Sequence, residues 1–315
     1  YGAGDDAYGV GSILELLSQA LKYRDEWHQG VRLLFTDSEE NALDGMKCAA
    51  KYNPELFENV GYVVNLESRG MNGPVLLFET SANNENVLDL YSEAKAPYGY
   101  SLTTVVYRFL PNNTDFTIVK DSIPGINFST IDNINYYHVD DDNFENINLA
   151  TIQHYGAQIE PILEEFLTSG EYRDPDALKG DEDLVFFTVP ILGIFSFTKP
   201  QFTLFCSVVF ALFCLALVLN ISARNATLKG VLKKALVIFL SSLLVLAMGE
   251  GIAFLTAKVA GTPFNITDTR YVMCSPVVVN VSLFALIIIY LAIYLKRRKK
   301  SNLFNIETLL GCSLV

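Results

Sequence analysis

Two long stretches of this chain carry no charge. No Asp, Glu, Lys or Arg lies between Lys199 and Arg224, or between Arg270 and Lys296. About 20 apolar residues suffice for a helix to span a bilayer, and helices apolar on all sides are rare in soluble domains. A third stretch, 235–257, is apolar except for Glu250. The pattern predicts three transmembrane helices near residues 201–221, 233–256 and 272–295. An acid inside a span is a functional position by default. Glu250 lies between Gly249 and Gly251 in the outer part of its helix, and is read here as reaching interfacial water.

The rest of the chain has the opposite character. Residues 1–185 hold 11 Lys and Arg against 32 Asp and Glu, whereas residues 186–315 hold 12 against 3. So acidic a half excludes nucleic acid as a partner. It implies a soluble domain joined to a domain whose partner is the lipid bilayer. Basic residues set the orientation. Arg224, Lys229, Lys233 and Lys234 separate the first two spans, and Lys296, Arg297, Arg298, Lys299 and Lys300 follow the third. The positive-inside rule places both groups in the cytoplasm and the acidic domain outside it or in a lumen. The expected division is a soluble domain at 1–170, a linker and membrane-proximal segment at 171–200, the spans at 201–296 and a basic cytoplasmic tail at 297–315. The apolar segment 184–198 is short and contains Pro190, so it is expected to pack between domain and membrane rather than span. The chain starts at Tyr1 rather than Met, which reads as a fragment or processed product. Five cysteines form no CxxC pattern. Asn112, Asn127 and Asn265 begin Asn-x-Ser/Thr triplets that would face outward on this topology and could carry glycan in a eukaryote.

In the acidic half, helical and strand periodicities alternate. Residues 9–24 place Val10, Ile13, Leu14, Leu17 and Leu21 on one helical face. Residues 32–36, 62–66, 75–78 and 125–130 read as short strands, and 84–94 and 147–167 as helices. Helices between short strands predict an α/β domain with a mostly parallel sheet and flanking helices. Ligands of such sheets bind beyond the carboxyl ends of the strands.

That rule gives meaning to the acids. Asp37, Glu39 and Glu40 follow the first predicted strand in "LLFTDSEENALDG", and Glu67 ends the next in "VVNLESRG". His138 follows the last strand in "NYYHVDDD", and Asp5 and Asp6 precede the first helix in "YGAGDDAYG". Asp, Glu and His are donors that suit zinc, manganese or cobalt. Each group alone has a plainer explanation. Thr36-x-x-Glu39 fits a capping box, Asp5 and Asp6 complement a helix dipole, and Asp140–Asp142 is a solvated charge run. Four such groups at one sheet edge favour a site.

These residues resemble a known family. Gly-Ala-x-Asp-Asp-Ala-x-Gly, then Glu-Glu after a strand, then Asn-Leu-Glu, then Tyr-His-x-x-x-Asp is similar to the di-zinc aminopeptidases, and within them to the branch found in vacuolar and endoplasmic reticulum membranes. The likeness covers about residues 1–170. It implies a zinc-exopeptidase-like fold, two zinc ions, and peptide or protein substrates with a free amino terminus. It implies that Asp5 bridges the metals, that Glu40 and His138 complete one site, and that Glu67 serves the other. Glu39 would be the general base, catalytic without ligating. Asp142 would orient the Tyr-His loop, and Asp115 in "NNTDF" would lie on the substrate side.

One departure from the family pattern matters. The family places a further His for the second zinc on a strand upstream of the bridging Asp, and this chain begins four residues before Asp5. His28 follows a helix and His154 lies within one, so neither is a good substitute. This chain is therefore expected to be weak or inactive on its own, and the full-length protein to be active. Two other readings compete with a membrane-anchored aminopeptidase. One is a non-catalytic receptor or scaffold relative, and the other a glutaminyl cyclase-like enzyme with one zinc.

Overall fold

The computed structural model describes residues 2–109, 112–261 and 306–313. The chain divides into two compact units, residues 1–203 and 204–315.

In the first unit, β1 (Val63–Ser68), β2 (Leu76–Thr80) and β3 (Gly125–Thr130) form one sheet in the order β1-β3-β2. β1 and β3 pair in parallel, from Val63 opposite Gly125 to Ser68 opposite Thr130. β2 pairs with β3 antiparallel. The mostly parallel sheet expected from sequence is thus corrected to a mixed one among the described residues. Chain length explains the difference. Seven residues separate β1 from β2, and a parallel return needs a crossover of roughly a dozen or more. The predicted strand at 32–36 is also corrected. It has no ladder partner among the described residues, and Leu34 and Phe35 stay 37% and 50% exposed. Apolar composition favours burial but does not supply a pairing partner.

Helix α1 (Ala7–Ala20) is capped by Asp6, whose carboxylate accepts the Gly9 N–H at 3.1 Å, and runs on into a 3-10 segment, Leu21–Glu26. Helix α6 (Leu149–Thr168) is capped by Asn148. Tyr8 and Leu16 of α1 and Tyr155, Ile159 and Ile162 of α6 join Leu66, Leu77, Ile126 and Phe128 of the sheet in the main core. Fully burying side chains of this size contributes about 1.5–3 kcal/mol each. Helix α3 (Glu85–Tyr91) lies close to its predicted place.

Three helices escape the sequence pattern: α2 (Asp44–Tyr52), α4 (Ser101–Phe109) and α5 (Phe116–Val119). In α4 the run Thr103-Thr104-Val105-Val106 is β-branched, which lowers helix propensity. Tertiary contacts decide it. The β2–β3 register shifts between Leu77 and Glu79, and the Thr104 hydroxyl donates to the intervening Phe78 carbonyl at 2.9 Å.

The segment 184–198 is a hairpin of β4 (Leu184–Val189) and β5 (Gly193–Thr198). Phe187 stacks on Phe195 and Phe197, Phe186 enters the core, and the Thr188 N–H donates to the Gly99 carbonyl at 3.0 Å.

Among the described residues two helices are long and apolar enough to cross a membrane, α7 (Lys199–Ser222) and α8 (Leu228–Ala260), with mean hydropathy 2.8 and 2.2. They correspond to the first two predicted spans. The third, at 272–295, lies outside the described residues, as do Asn265 and most of the 297–315 tail. A short helix, Ile306–Cys312, packs Leu310 against Ala226 and Val231 near the start of α8. Glu250 is half-buried on α8, and its Oε2 is enclosed with no hydrogen-bond partner among the described residues.

Candidate metal centre

Three chain segments converge on one cluster. Asp5 precedes α1, Glu40 lies in the turn before α2, and His138 follows β3 by eight residues with its backbone in the left-handed region, at φ 58°. His138 Nε2 lies 2.5 Å from Glu40 Oε1 and 3.2 Å from Asp5 Oδ2. The three ligand atoms all fall within 4.8 Å of one another. Donors at tetrahedral zinc distances stand roughly 3.3 Å apart, so the spacing and the donor chemistry fit zinc.

Each donor is held from behind. Asp142 is only 4% exposed, and its carboxylate accepts the Gly4 N–H at 2.5 Å and the Asp5 N–H at 3.1 Å. Its own carbonyl accepts the Gly2 N–H at 3.0 Å. From sequence Asp142 was expected to orient the Tyr-His loop; the structure shows it fastening the strip that carries Asp5. His138 stacks on Tyr137, with ring centroids 3.7 Å apart. The Glu40 turn closes on itself through the Ser38 carbonyl, which accepts from Asn41 and Asp44. Gly45 allows that closure, because a Cβ there would collide with the Asp37 backbone.

The capping-box reading of Thr36 is overturned. The Thr36 hydroxyl donates to Asp115 Oδ2, and no helix starts between Thr36 and Asp44. Glu39 lies half-buried in the turn between them. Asp115 Oδ1 is enclosed with no partner among the described residues. Asp6 is the plain N-cap and Asp5 the cluster member, so adjacent acids divide between the two readings.

The structure leaves Glu67 outside the triad. It lies near the end of β1, and Oε1 accepts from Asn65 Nδ2 at 3.0 Å. A polar chain backs it across the sheet. Asn65 Nδ2 donates to Asn127 Oδ1 at 3.0 Å, Asn127 Nδ2 to Glu79 Oε2 at 3.3 Å, and Lys120 Nζ to Glu79 Oε1 at 2.6 Å. Sequence reasoning missed this chain, because its members are scattered from Asn65 to Asn127. It also removes Asn127 as a glycan site, since that residue is fully buried on the central strand. The other histidines serve the fold. His154 Nδ1 accepts the Val75 N–H at 2.8 Å and its Nε2 lies 3.0 Å from the Ala96 carbonyl, while His28 meets Arg173.

Electrostatics point the same way. Burial, then the neighbouring Glu40, pushes the Asp5 carboxyl up to about 7. Burial, with Glu40, Asp115 and Asp5, pushes Glu39 up to about 7, and His138 opposes it. Burial raises Glu67 well above the carboxylate range, with Asp6 adding to it. Arg69 and His138 offset these shifts only in part, so the clustered acids resist ionisation together, and a divalent cation would reverse that.

A family comparison bears on this geometry. The model of peptidase family M28 matches residues 1–163. The chain belongs to peptidase family M28. It is 31% identical over 205 residues to the human protein named endoplasmic reticulum metallopeptidase 1, covering 64% of this chain and 22% of that protein. It is 28% identical over 228 residues to a vacuolar membrane protease of Paracoccidioides lutzii, covering 71% of this chain and 22% of the relative. A putative endoplasmic reticulum metallopeptidase 1 of Schizosaccharomyces pombe is 29% identical over 166 residues, covering 51% of this chain and 20% of that protein. The chain thus spans about a fifth of the length of these curated relatives. No solved structure matches it.

Proposed function

We propose that this M28 chain is a zinc-dependent exopeptidase of aminopeptidase type, anchored in a membrane by α7, α8 and the apolar stretch 272–295. The observation that supports it most is the convergence of Asp5, Glu40 and His138 from three separate segments. These residues would hold one zinc ion, and Asp5 and Glu67 would serve a second. Bound zinc supplies Lewis acidity, polarising a peptide carbonyl and lowering the pKa of water toward 7. Glu39 stands beside the ligand Glu40 but outside the triad, so its lone pairs remain available. It takes a proton from the attacking water and returns it to the leaving amine as the C–N bond breaks. Asp142 holds the Asp5 strip in place, and Asp115 faces the substrate side. The basic residues flanking the apolar stretches support a peptidase unit that lies outside the cytoplasm, or in a lumen.

Leucine amide and N-acetyl-leucine amide test this together. Zinc-loaded full-length protein should cleave the first and not the second, chelation should abolish cleavage, and zinc should restore it, whereas residues 1–315 alone should cleave weakly or not at all. Equal cleavage of the blocked amide would remove the aminopeptidase assignment. Cleavage that survives chelation would remove the metal.

A further inference from the structure

Helix α4 turns its apolar side outward. Its sheet-facing side is made of Thr103, Thr104 and Tyr107. The two hydroxyls donate to the Phe78 carbonyl at 3.4 and 2.9 Å, and the Tyr107 ring packs edge-on to Phe78 at 4.9 Å. The opposite side carries Leu102, Val105, Val106 and Phe109, spaced as i, i+3, i+4 and i+7 and therefore on one stripe. They stay 70%, 48%, 50% and 84% exposed. A helix of a soluble domain turns such a stripe to the core, so the inversion calls for an apolar covering. In a unit rich in acids α4 has none, and its single charge is Arg108.

The β4–β5 hairpin sets this stripe beside the start of α7. The Thr188 N–H donates to the Gly99 carbonyl at 3.0 Å, and the Phe186 N–H to the Ser101 hydroxyl at 2.7 Å, so β4 runs antiparallel to the residues that lead into α4. Ser196 stands opposite Phe186, Thr198 opposite Leu184, and α7 begins at the next residue, Lys199. Lys199 is thus about 10 Å across and about 10 Å along from Ser101, on the order of 15 Å in all. Alternation along β4 points Phe187 away from the core that Phe186 enters. Phe187 stacks on Phe195 and Phe197, and the Phe197 and Phe202 ring centres lie 6.3 Å apart. An aromatic row therefore leads from the hairpin into the first turn of α7, and residues up to Thr203 belong to the first unit. The 24 residues of α7 make about 36 Å of helix, against a hydrocarbon core of about 30 Å. A span by α7 brings Lys199 to the lipid–water interface, and the nearby α4 with it.

We propose that α4 is an interfacial helix, resting Leu102, Val105, Val106 and Phe109 on the lipid surface where α7 enters the bilayer. The proposal rests on the membrane-anchored reading above. Interfacial helices bury an apolar face about 5–10 Å into the headgroup boundary and keep basic residues at its edge, which suits Arg108. A second copy of the chain is a poorer occupant. The four side chains expose roughly 400 Å², about half of what one partner brings to a standard protein interface.

Tryptophan quenching tests this on the full chain reconstituted into phosphatidylcholine vesicles, with bromine placed either near the headgroup end of the acyl chains or at their tail ends. Val106→Trp reports on the stripe and Leu212→Trp on α7, each after subtraction of the wild-type signal from the single native Trp27. At a depth of about 5–10 Å, the Val106→Trp signal should fall by about half with shallow bromine and by less with deep bromine. Leu212→Trp should be quenched more by deep bromine. If Val106→Trp does not fold, Phe109→Trp reads the same stripe. Quenching of Leu212→Trp with no quenching at the stripe would overturn the placement of α4 and leave the anchor standing. Blue-shifted but unquenched emission at the stripe would mean that protein covers it, a second copy or another chain, and would overturn the lipid. Absence of quenching in Leu212→Trp would overturn the membrane anchor itself, and the interfacial helix with it.

Discussion

Asp142 is the residue through which the fold most directly holds the centre, and Asp142→Asn isolates that role. The carboxylate accepts two backbone N–H groups from consecutive residues, Gly4 and Asp5, at a site only 4% exposed. An Asn side chain keeps the shape but offers one oxygen, so one N–H then faces an NH2 group. A hydrogen bond to a charged acceptor contributes about 1.5–3 kcal/mol, and a buried donor left unpaired costs a similar amount. The expected loss is about 2–4 kcal/mol. For a unit of about 200 residues, 1 kcal/mol shifts Tm by about 2–4 °C, giving a drop of roughly 5–15 °C. The Asp5 strip should loosen as well, and groups that hold metal ligands in place typically matter by about 10–100-fold in metal affinity. Thermal unfolding of the metal-free full chain in detergent and zinc titration by calorimetry measure the two effects. Unchanged Tm together with unchanged zinc affinity would refute the role assigned to Asp142.

Lys120→Met leaves Glu79, 2% exposed, without its cation. The expected loss is about 2–3 kcal/mol in urea unfolding, below the roughly 3–5 of fully buried pairs because water reaches Lys120. Glu79→Met added to Lys120→Met should recover part of it. Expressed in a glycosylating host, the protein should show no glycan at Asn127 by peptide mass mapping, because its amide is buried on β3. Asp5 and Glu39 titrate near 7 in the metal-free fold, against about 4 when unfolded. Between those values the folded state binds more protons than the unfolded one, so metal-free stability should fall as pH rises from about 4 to about 7 and then level off. Stabilisation by added zinc should grow over the same range, since zinc takes the ionised ligands. Unfolding midpoints at several pH values, with and without zinc, check both signs.

The strands and long helices were legible where pattern and packing agree. β3 occupies its predicted residues because all six are buried, and α6 because its apolar face meets the sheet. The strand at 32–36 was misread because pairing is a long-range property that apolar composition does not encode. α4 was missed because its β-branched run favours a strand until Thr104 bonds to the irregular edge of β2. Within the centre, residue types and order single out Asp5, Glu40 and His138 among several acids, the resemblance groups them as ligands, and the structure brings these three together. Their supports are less legible: pattern reads Asp142 as part of a solvated acidic run and the resemblance gives it the Tyr-His loop to orient, whereas its carboxylate holds the Gly4 and Asp5 N–H groups, and the path from Glu67 to Lys120 has no local signature.

The central claim is that a metal held by Asp5, Glu40 and His138 works with Glu39 as a separate base. Zinc content and leucine amide turnover, measured on the same preparations of wild type, Glu39→Gln and His138→Ala, test it most directly. Glu39→Gln should keep its zinc and lose turnover by about 10²–10⁴-fold, the range for general-base catalysis. His138→Ala should lose both. Turnover surviving in Glu39→Gln, or zinc retained at wild-type affinity in His138→Ala, would contradict it.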